Sequence, residues 1–311
     1  RIVFSEGASQ RVLEACRVVL EDGTGKPILL GDPEVVREKA LASGLDLAHV
    51  EMVDPRESGH VDAFAERLLE AKWREGWTPR KARQAVASPV RYGMMMLRLG
   101  LADAMVSGAD SPYIDTLRTV ISMGELAPAV RRVYGYNLLL AEGKVFVLGD
   151  TSLNIEPDAE QLAEIARTGA ALARDLGLEP KVAMLSFSNF GDSNHPRARK
   201  MRAATAHLRR ECPDLVVDGE MHGDVALMPA FAGAGYPLSR IQGDANVLIF
   251  PDLDSANISL KLLGGIGSGR EVVGPILEGL LHPVNVASYN STAREIASLA
   301  SYCCYRAASR G

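Results

Sequence analysis

Short apolar runs alternate with amphipathic segments along most of the chain. The runs RIVF and KPILLG flank the segment SQRVLEACRVVLEDG, whose apolar positions fall on one helical face: Val12, Cys16, Val19 and Leu20. Ser9 precedes them and is a residue type that favours a helix N-cap. The alternation continues through ADAMVSG, KVAMLSFS and NVLIFPD, each followed by a helical pattern. Strands alternating with helices predict an α/β fold with mostly parallel sheets flanked by helices.

Two stretches depart from this alternation. In VYGYNLLLAEGKVFVLGD, the turn signal Glu142-Gly143 joins two apolar runs. This predicts an antiparallel pair or edge strands, and we place a lobe boundary near it. The glycine cluster GGIGSG, residues 264 to 269, follows a helix rather than a strand. It therefore favours a helix-ending loop over a dinucleotide-binding fingerprint.

The bulk composition narrows the classes of function. A chain of 311 residues with 47% apolar composition is long enough for two lobes, each with its own core. The net charge is −5, and no basic block or stripe marks a surface for nucleic acid or an anionic membrane. Charged residues such as Arg98 and Asp103 interrupt the longest apolar windows. We expect a soluble protein that binds neither nucleic acid nor membrane.

Cysteine usage favours a cytoplasmic protein. The four cysteines, at positions 16, 212, 303 and 304, lack metal-ligand spacing, and the adjacent pair is a poor disulfide candidate. A reducing compartment suits them best. The chain starts at Arg1 without an initiator Met or a signal peptide. We therefore expect either a cleaved leader or a piece of a longer chain.

The loop that follows KVAMLSFS is a candidate ligand site. Ser186, Ser188 and Asn189 lie at the C-terminal end of a predicted strand and ahead of a helix. Ligands in open α/β sheets bind at this edge, where backbone N–H groups and hydroxyls hold anions. An ordinary polar strand-to-helix turn has the same composition, so both interpretations stay open.

Four candidate metal ligands occur in DGEMHGD: Asp218, Glu220, His222 and Asp224. Alternate positions of an extended chain point the same way, which a divalent metal can use. Metal ligands usually come from several elements, however, and two glycines favour a bend. Structural hydrogen bonding is therefore the favoured interpretation, and no metal site is predicted. Nucleophilic catalysis gains no support either, because the six histidines are scattered.

Arg118, in DTLRTVIS, follows a predicted strand and lies early in a helix. A guanidinium at that place can clamp a phosphate or a carboxylate with two hydrogen bonds. Arginines on amphipathic helices are more often solvated surface residues, and chemistry alone favours that interpretation.

An ordered series of motifs resembles the phosphate acetyltransferases. It runs through RIVFSEG, PILLGDP, LGLADAMVSGA, VVDGE, ANVLIFPDLDSANI and GPILEGLLHPVN and covers essentially the whole chain. The resemblance implies an isocitrate dehydrogenase-like architecture of two lobes with an interlobe cleft, assembled as a homodimer. It also implies a return to the first lobe, so that residues 1–128 plus 283–311 form the first lobe and residues 129–282 the second.

The signature of that family reads Pro-Val-Asn-Asp-Leu-Ser-Arg-Gly, and this chain keeps Asn285 and Ser288 but has Tyr289 in place of the Arg. By resemblance, the Ser forms transition-state hydrogen bonds and the Arg binds phosphate or the acyl oxygen. An acidic residue seven positions after the Ser, here Glu295, is implied in acid/base work. Where active members tend to have a His-Thr-Thr run, Asp110 begins a different sequence whose carboxylate repels a phosphate dianion. The catalytic positions are therefore expected to be degenerate.

The motifs LSFSNFGDS and VDGEMHGDVAL look most like the C-terminal phosphotransacetylase-like domain of hybrid NADP-dependent malic enzymes. That resemblance implies a non-catalytic regulatory domain, which binds acetyl-CoA in the interlobe cleft and inhibits a fused malic enzyme domain. Acetyl-CoA is then an effector, and no cofactor is expected to bind tightly in this region. NADP and a divalent metal belong to the malic enzyme domain, which converts malate to pyruvate by oxidative decarboxylation.

The acetyl-CoA contacts implied by the resemblance are Asn285, Ser288, Tyr289, Pro275, Ile276, Arg118, Ser186, Ser188 and Asn189. Tyr289 is expected to cover the acetyl group, while Pro275 and Ile276 line the pantetheine path. Two alternatives remain. One is a working phosphate acetyltransferase that uses Ser288, Glu295 and Arg118, and the other is a structural dimerisation module with an empty cleft.

Overall fold

The computed structural model describes residues 1–128, 130–266 and 269–309. The chain forms two compact units. Unit 1 comprises Arg1–Ala129 and Leu280–Gly311, and unit 2 is the continuous segment Val130–Gly279. The chain therefore begins in unit 1, passes through all of unit 2 and returns to unit 1 with its last segment.

Strands and helices alternate along much of the described part of the chain. The strands are β1 (Ile2–Phe4), β2 (Pro27–Leu30), β3 (Glu51–Val53), β4 (Ala104–Ser107), β5 (Tyr134–Ala141), β6 (Lys144–Gly149), β7 (Lys181–Leu185), β8 (Val216–Met221), β9 (Val247–Ile249), β10 (Arg270–Glu278) and β11 (Val284–Val286). The helices are α1 (Gln10–Glu21), α2 (Pro33–Ser43), α3 (Val61–Lys72), α4 (Pro79–Val86), α5 (Pro89–Arg98), α6 (Tyr113–Met123), α7 (Ala159–Asp175), α8 (Pro196–Glu211), α9 (Gly223–Leu227), α10 (Pro229–Gly235), α11 (Leu253–Gly265) and α12 (Ala293–Ala308).

Unit 1 is built on a parallel sheet with the strand order β11-β4-β1-β2-β3. Strands β1, β2 and β4 are buried along their whole length, as expected when helices cover both faces of a parallel sheet. Helix α12 packs against α1 and β4. The last segment of the chain thus supplies both an edge strand and a covering helix.

The predicted first strand, helix and second strand are confirmed as β1, α1 and β2. Val12, Cys16 and Val19 are buried on α1, whereas Leu20 is only partly buried. Ser9 occupies the N-cap position, but its side chain makes no capping hydrogen bond. Burial of its apolar face, rather than a side-chain cap, accounts for this helix.

Unit 2 contains a mixed sheet with the strand order β10-β5-β6-β9-β7-β8. Strands β6, β9, β7 and β8 run parallel, and β5 pairs antiparallel with both β6 and β10. Glu142 and Gly143 connect β5 to β6 with φ angles of 53° and 74°, the left-handed conformation that a two-residue hairpin turn favours. The predicted antiparallel pair is confirmed, and it lies inside the sheet rather than at its edge.

The core of unit 2 follows from the twofold periodicity of its strands. A buried cluster joins alternate positions of a strand, such as Ala183 and Leu185 of β7, to helices α9, α10 and α11. Helix α11 ends inside the glycine cluster 264–269, of which positions 267 and 268 lie outside the described residues. In the parts of the chain that the structure describes, no helix combines the length and the apolar character needed to cross a membrane.

Candidate functional site

Three loops meet at the carboxyl edge of the unit 1 sheet, where β1, β4 and β11 end. We name residues 5–6, 108–111 and 287–291 the edge loops. The hydroxyl oxygens of Ser5 and Ser107, at the ends of adjacent strands, lie 2.5 Å apart. Because ligands of α/β proteins bind at this edge of the sheet, the edge loops are the first candidate site.

Glu6 binds loop 108–111 through its carboxylate. Its Oε1 accepts the Gly108 N–H at 3.0 Å and the Ser111 hydroxyl at 3.1 Å. Burial raises the pKa of the Glu6 carboxyl, these hydrogen bonds lower it, and the charge of Asp110 raises it. Donors that suit an anion are thus occupied by a carboxylate of the same chain.

Arg11, on α1, joins the second and third edge loops. Its Nη1 donates to the carbonyls of Tyr289 at 2.5 Å and Ser291 at 2.9 Å. Its Nη2 donates to the Ala109 carbonyl and to Asp110 Oδ1, the latter at 3.0 Å. The guanidinium carbon lies 5.7 Å from the centre of the Tyr289 ring, within cation–π range. Four oxygens of the chain therefore engage this cation.

The segment HPVNVASYN divides between the interior and the edge of unit 1. Asn285, on β11, is 1% exposed, and its amide donates to Cys303 Sγ at 3.2 Å. Ser288 Oγ lies 3.1 Å from Ser291 Oγ, which also accepts the Ser288 N–H at 3.0 Å. The Tyr289 side chain is 67% exposed. Ser288 and Tyr289 thus lie on the edge loops, whereas the Asn285 side chain lies in the interior.

Glu295 caps helix α12. Its Oε2 accepts the Thr292 N–H at 2.6 Å and the Thr292 hydroxyl at 3.0 Å, while Thr292 Oγ1 accepts the Glu295 N–H at 3.2 Å. This reciprocal arrangement is a capping box. The carboxylate for which the resemblance implies acid/base work is therefore bound to the start of a helix.

Unit 2 has a cavity at the carboxyl edge of its parallel strands. Its volume is about 650 Å³, and it lies where β7 and β9 end and where α8, α9 and α11 begin. Apolar walls come from Ile155, Leu185, Phe187 and Phe250, and Ser186 lines the same space. This size and this mainly apolar lining are typical of small-molecule sites.

The charged residues of the cavity are mostly acidic. Glu156, Asp252 and Asp254 outnumber Arg197 in the lining. Asp252 also caps α11, because its Oδ1 accepts the Ser255 N–H at 2.9 Å. Such a lining favours an uncharged group over a polyanion.

The loop that follows β7 is bound to β8 through Glu220, which is fully buried. Glu220 Oε1 accepts the Ser188 hydroxyl at 3.0 Å and pairs with Arg202 at 2.8 Å. Asn189 Oδ1 accepts the His222 N–H at 2.8 Å. Ser188 and Asn189 therefore fix the loop in place, and of the three predicted residues in this segment, Ser186 lines the cavity.

The acidic row of DGEMHGD makes the structural hydrogen bonds that its sequence favours. Asp218 accepts hydrogen bonds from the Arg209 guanidinium at 2.5 Å, the Ser239 hydroxyl at 3.0 Å and the Arg240 N–H at 2.7 Å. Together with the contacts of Glu220, these bonds confirm the structural interpretation of both carboxylates.

Three further predicted contacts lie elsewhere in their units. Arg118, on α6 of unit 1, has a side chain that is 76% exposed and 3.6 Å from Asp115. Pro275 and Ile276 are in β10 of unit 2, where Ile276 is buried in the sheet. These three residues neither belong to the edge loops nor line the unit 2 cavity.

Known proteins with similar sequences and structures match nearly the whole chain. Residues 1–304 match the sequence profile described as phosphate acetyl/butaryl transferase. The chain belongs to this family. A phosphate acetyltransferase of Thermoanaerobacterium thermosaccharolyticum is 37% identical over 303 residues, which are 95% of this chain and 92% of that enzyme. A solved phosphotransacetylase from Streptococcus pyogenes is 36% identical with a TM-score of 0.93, covering 99% of this chain and 94% of the other.

Some members of the phosphate acetyl/butaryl transferase family are parts of longer proteins. The NADP-dependent malic enzyme of Escherichia coli is 36% identical over 304 residues, which are 96% of this chain but 40% of the malic enzyme. The chain thus spans about two fifths of that relative's length. The predicted resemblance to phosphate acetyltransferases and to one domain of malic enzymes is confirmed.

Two residues of this phosphotransacetylase-like chain escaped sequence analysis. Glu6 is the second residue after β1, and Ser186 is the first residue after β7, so the same rule about strand ends would have identified Glu6. Arg11 has no local signal, because its partners lie 98 to 280 residues away in the sequence. Only the packing of unit 1 brings Arg11 to the edge loops.

Proposed function

We propose that this chain is a non-catalytic regulatory domain that binds acetyl-CoA and is fused to a malic enzyme domain. The observation that carries the proposal is Tyr289, which replaces the arginine of the family's signature and whose carbonyl is bound by Arg11. Similarity to 40% of the length of several malic enzymes supports the fusion.

The edge loops, together with Arg11 and Glu295 on the neighbouring helices, are poorly suited to acetyl transfer. Glu295 is engaged in a capping box, Arg11 is bound by four oxygens of the chain, and Asp110 adds a negative charge. Loss of one preorganised anion donor commonly lowers a rate about 100-fold to 1000-fold. We therefore expect no substantial transfer of an acetyl group between coenzyme A and phosphate.

The nature of the ligand is proposed from the family, and the unit 2 cavity supports it. Its apolar walls beside Ser186 suit the uncharged acetyl-pantetheine end of acetyl-CoA, and its acidic lining does not suit phosphates. Ser288 and Tyr289 are the proposed contacts in unit 1. NADP and a divalent metal are proposed ligands of the fused malic enzyme domain alone.

A homodimer is part of the proposal, and an apolar stripe on α11 supports it. Ile258 and Leu262 lie one helical turn apart on α11 and are 58% and 55% exposed, and Ile266, the residue that follows the helix, is 61% exposed. Contiguous apolar surface of this kind marks protein interfaces. We expect Leu262→Glu to convert dimers to monomers in analytical ultracentrifugation. Leu41→Glu, on α2 of unit 1 where Leu41 is 80% exposed, is the control and should leave the dimer intact.

Regulation requires that acetyl-CoA bind two states of the fused protein with different affinities. The test is a calorimetric titration of the domain with acetyl-CoA, coenzyme A and acetyl phosphate side by side. We expect acetyl-CoA to bind and acetyl phosphate to give no saturable heat. Tight binding of acetyl phosphate would contradict the proposal.

A working phosphate acetyltransferase is the second candidate, because this chain matches 92% of the length of an enzyme of that name. Robust formation of acetyl-CoA from acetyl phosphate and coenzyme A by the purified domain would establish it.

A purely structural module is the third candidate. Acetyl-CoA at 100 times its dissociation constant should add about 2.7 kcal/mol to the free energy of unfolding. No thermal shift at millimolar acetyl-CoA would favour the structural module.

A further inference from the structure

The edge loops bring together donors that suit an anion: the Arg11 guanidinium, the Gly108 N–H and the Ser111 hydroxyl. A carboxylate of the same chain already binds each of them. Glu6 accepts from Gly108 at 3.0 Å and from Ser111 at 3.1 Å, while Asp110 accepts from Arg11 at 3.0 Å. The edge loops therefore have the donors of an anion-binding site, and the carboxylates of Glu6 and Asp110 occupy these donors.

We propose that Asp110 is a built-in substitute for an anionic ligand, so that the edge loops exclude inorganic phosphate and acetyl phosphate. The inference rests on the proposed function, because it explains how an acetyl-CoA-binding domain distinguishes a thioester effector from an acyl phosphate. Asp110 is therefore a specificity-determining residue.

Arg11 has three contacts besides the one with Asp110. The carbonyls of Ala109, Tyr289 and Ser291 hold the guanidinium, and among these four contacts only the one with Asp110 carries a negative charge. The side chains of Arg11 and Asp110 are 29% and 51% exposed, so an ion from solvent can reach the pair. Neutralising Asp110 removes the negative charge that faces this cation and leaves its three carbonyl contacts available.

A phosphate dianion at this place would meet two carboxylates. Burial raises the pKa of the Glu6 carboxyl, and the charge of Asp110 raises it further, so the two groups interact electrostatically. Repulsion between like charges is stronger here than in bulk water, because the loops are partly desolvated. Asp110→Asn removes one of these charges while keeping the size of the side chain.

The test is a calorimetric titration of Asp110→Asn and of the unaltered domain with inorganic phosphate at low ionic strength. We expect the affinity for phosphate to rise at least about tenfold in Asp110→Asn. Glu70→Gln is the matched control, since Glu70 pairs with Arg67 at 3.2 Å on the exposed surface of α3. It removes the same charge beside an arginine and should leave the affinity for phosphate unchanged.

A second variant shows whether the gained site is the proposed one. Adding Arg11→Met to Asp110→Asn is expected to abolish the gain. Three results would each overturn the proposal: equal phosphate affinity in Asp110→Asn and the unaltered domain, an equal gain in Glu70→Gln, or a gain that survives the loss of Arg11.

Circular dichroism melts of each sample establish that it is folded, and Asp110→Ser takes the place of Asp110→Asn if the latter unfolds. The same samples are titrated with acetyl-CoA. Failure of the unaltered domain to bind acetyl-CoA contradicts the proposed function and leaves the phosphate comparison intact. Failure of Asp110→Asn to gain phosphate affinity contradicts only the role of Asp110.

Discussion

The carboxyl edges of the two sheets both use carboxylates to bind their loops but leave different space beside them. In unit 1, Glu6 and Asp110 engage the donors of the edge loops. In unit 2, Glu220 likewise binds a loop through Ser188, yet a cavity of about 650 Å³ lies alongside. One edge is filled by its own charges, and the other is open to a small molecule.

This difference separates two properties of an α/β fold. The end of a parallel sheet marks where ligands bind, because loops and helix starts converge there in both units. The side chains of those loops decide which ligand is admitted. Membership of an acetyltransferase family therefore does not by itself decide which ligand the edge loops of unit 1 admit.

Asp150→Ala is expected to have the largest effect, because it destabilises the loop beside the cavity of unit 2. The Asp150 carboxylate is 4% exposed and accepts N–H groups from Ser152 at 2.9 Å, Leu153 at 3.1 Å and Asn154 at 3.2 Å, in the loop leading to the cavity wall. Removing it leaves these donors unsatisfied, so we expect a loss of about 3 kcal/mol in the free energy of unfolding. Asp214→Ala, at an exposed position, should stay within about 0.5 kcal/mol in the same urea titrations.

Gly223→Trp is expected to fill the cavity of unit 2 without destabilising its loops. Gly223 lines the cavity, and a Cβ added there meets no atom within 4 Å. We expect the bulky ring to weaken acetyl-CoA binding at least about tenfold, or about 1.4 kcal/mol, by calorimetry. Gly233→Trp has equally open surroundings on α10 and should bind acetyl-CoA normally. Unchanged affinity in Gly223→Trp would exclude this cavity as the acetyl-CoA site.

Substitutions at the start of α12 test whether Thr292 and Glu295 have a structural role in unit 1, as a helix cap. Thr292→Ala should cost about 1 kcal/mol of stability, because the N-cap hydrogen bond is lost. Glu295→Gln should cost less than about 0.5 kcal/mol, since glutamine also completes a capping box. The measurement is urea denaturation. A loss in Glu295→Gln as large as in Glu295→Ala would contradict the capping role.

The smallest expected effect concerns the pH dependence of Glu6. Burial raises the pKa of its carboxyl, so the folded chain binds this proton more tightly than the unfolded chain does. Its contribution to stability is complete below about pH 4.3 and is lost as the pH rises through the raised pKa. We expect the stability of the unaltered domain relative to Glu6→Gln to fall over that window, by less than about 1.4 kcal/mol per pH unit. A rise would contradict this sign.

The sequence patterns predicted strands, helices and turns well, because each of these elements depends mainly on residues that are close together in the sequence. The run KVAML forms β7, and Glu142-Gly143 forms a hairpin turn, since each depends on neighbouring residues. The α/β prediction and the family resemblance are confirmed for the same reason: both follow from ordered segments along the chain.

The candidate site was harder to predict because it depends on distant contacts. Arg11 reaches the edge loops only through packing of α1 against segments far along the sequence. Asn285 belongs to a strand whose residues are all buried, and its amide meets Cys303 of α12 rather than solvent. The capping role of Glu295 has a local signature, Thr-x-x-Glu, which the resemblance to a catalytic acid obscured.

The strand order of unit 1 has a consequence for synthesis on the ribosome. β4 pairs with β1 on one side and with β11 on the other, and all of unit 2 is translated before β11. Domains generally fold as units while the chain emerges, so unit 2 is free to fold while β4 still has an unpaired edge. During synthesis, unit 2 can therefore be folded while the sheet of unit 1 still lacks β11. At that stage the unpaired edge of β4 is available to a chaperone.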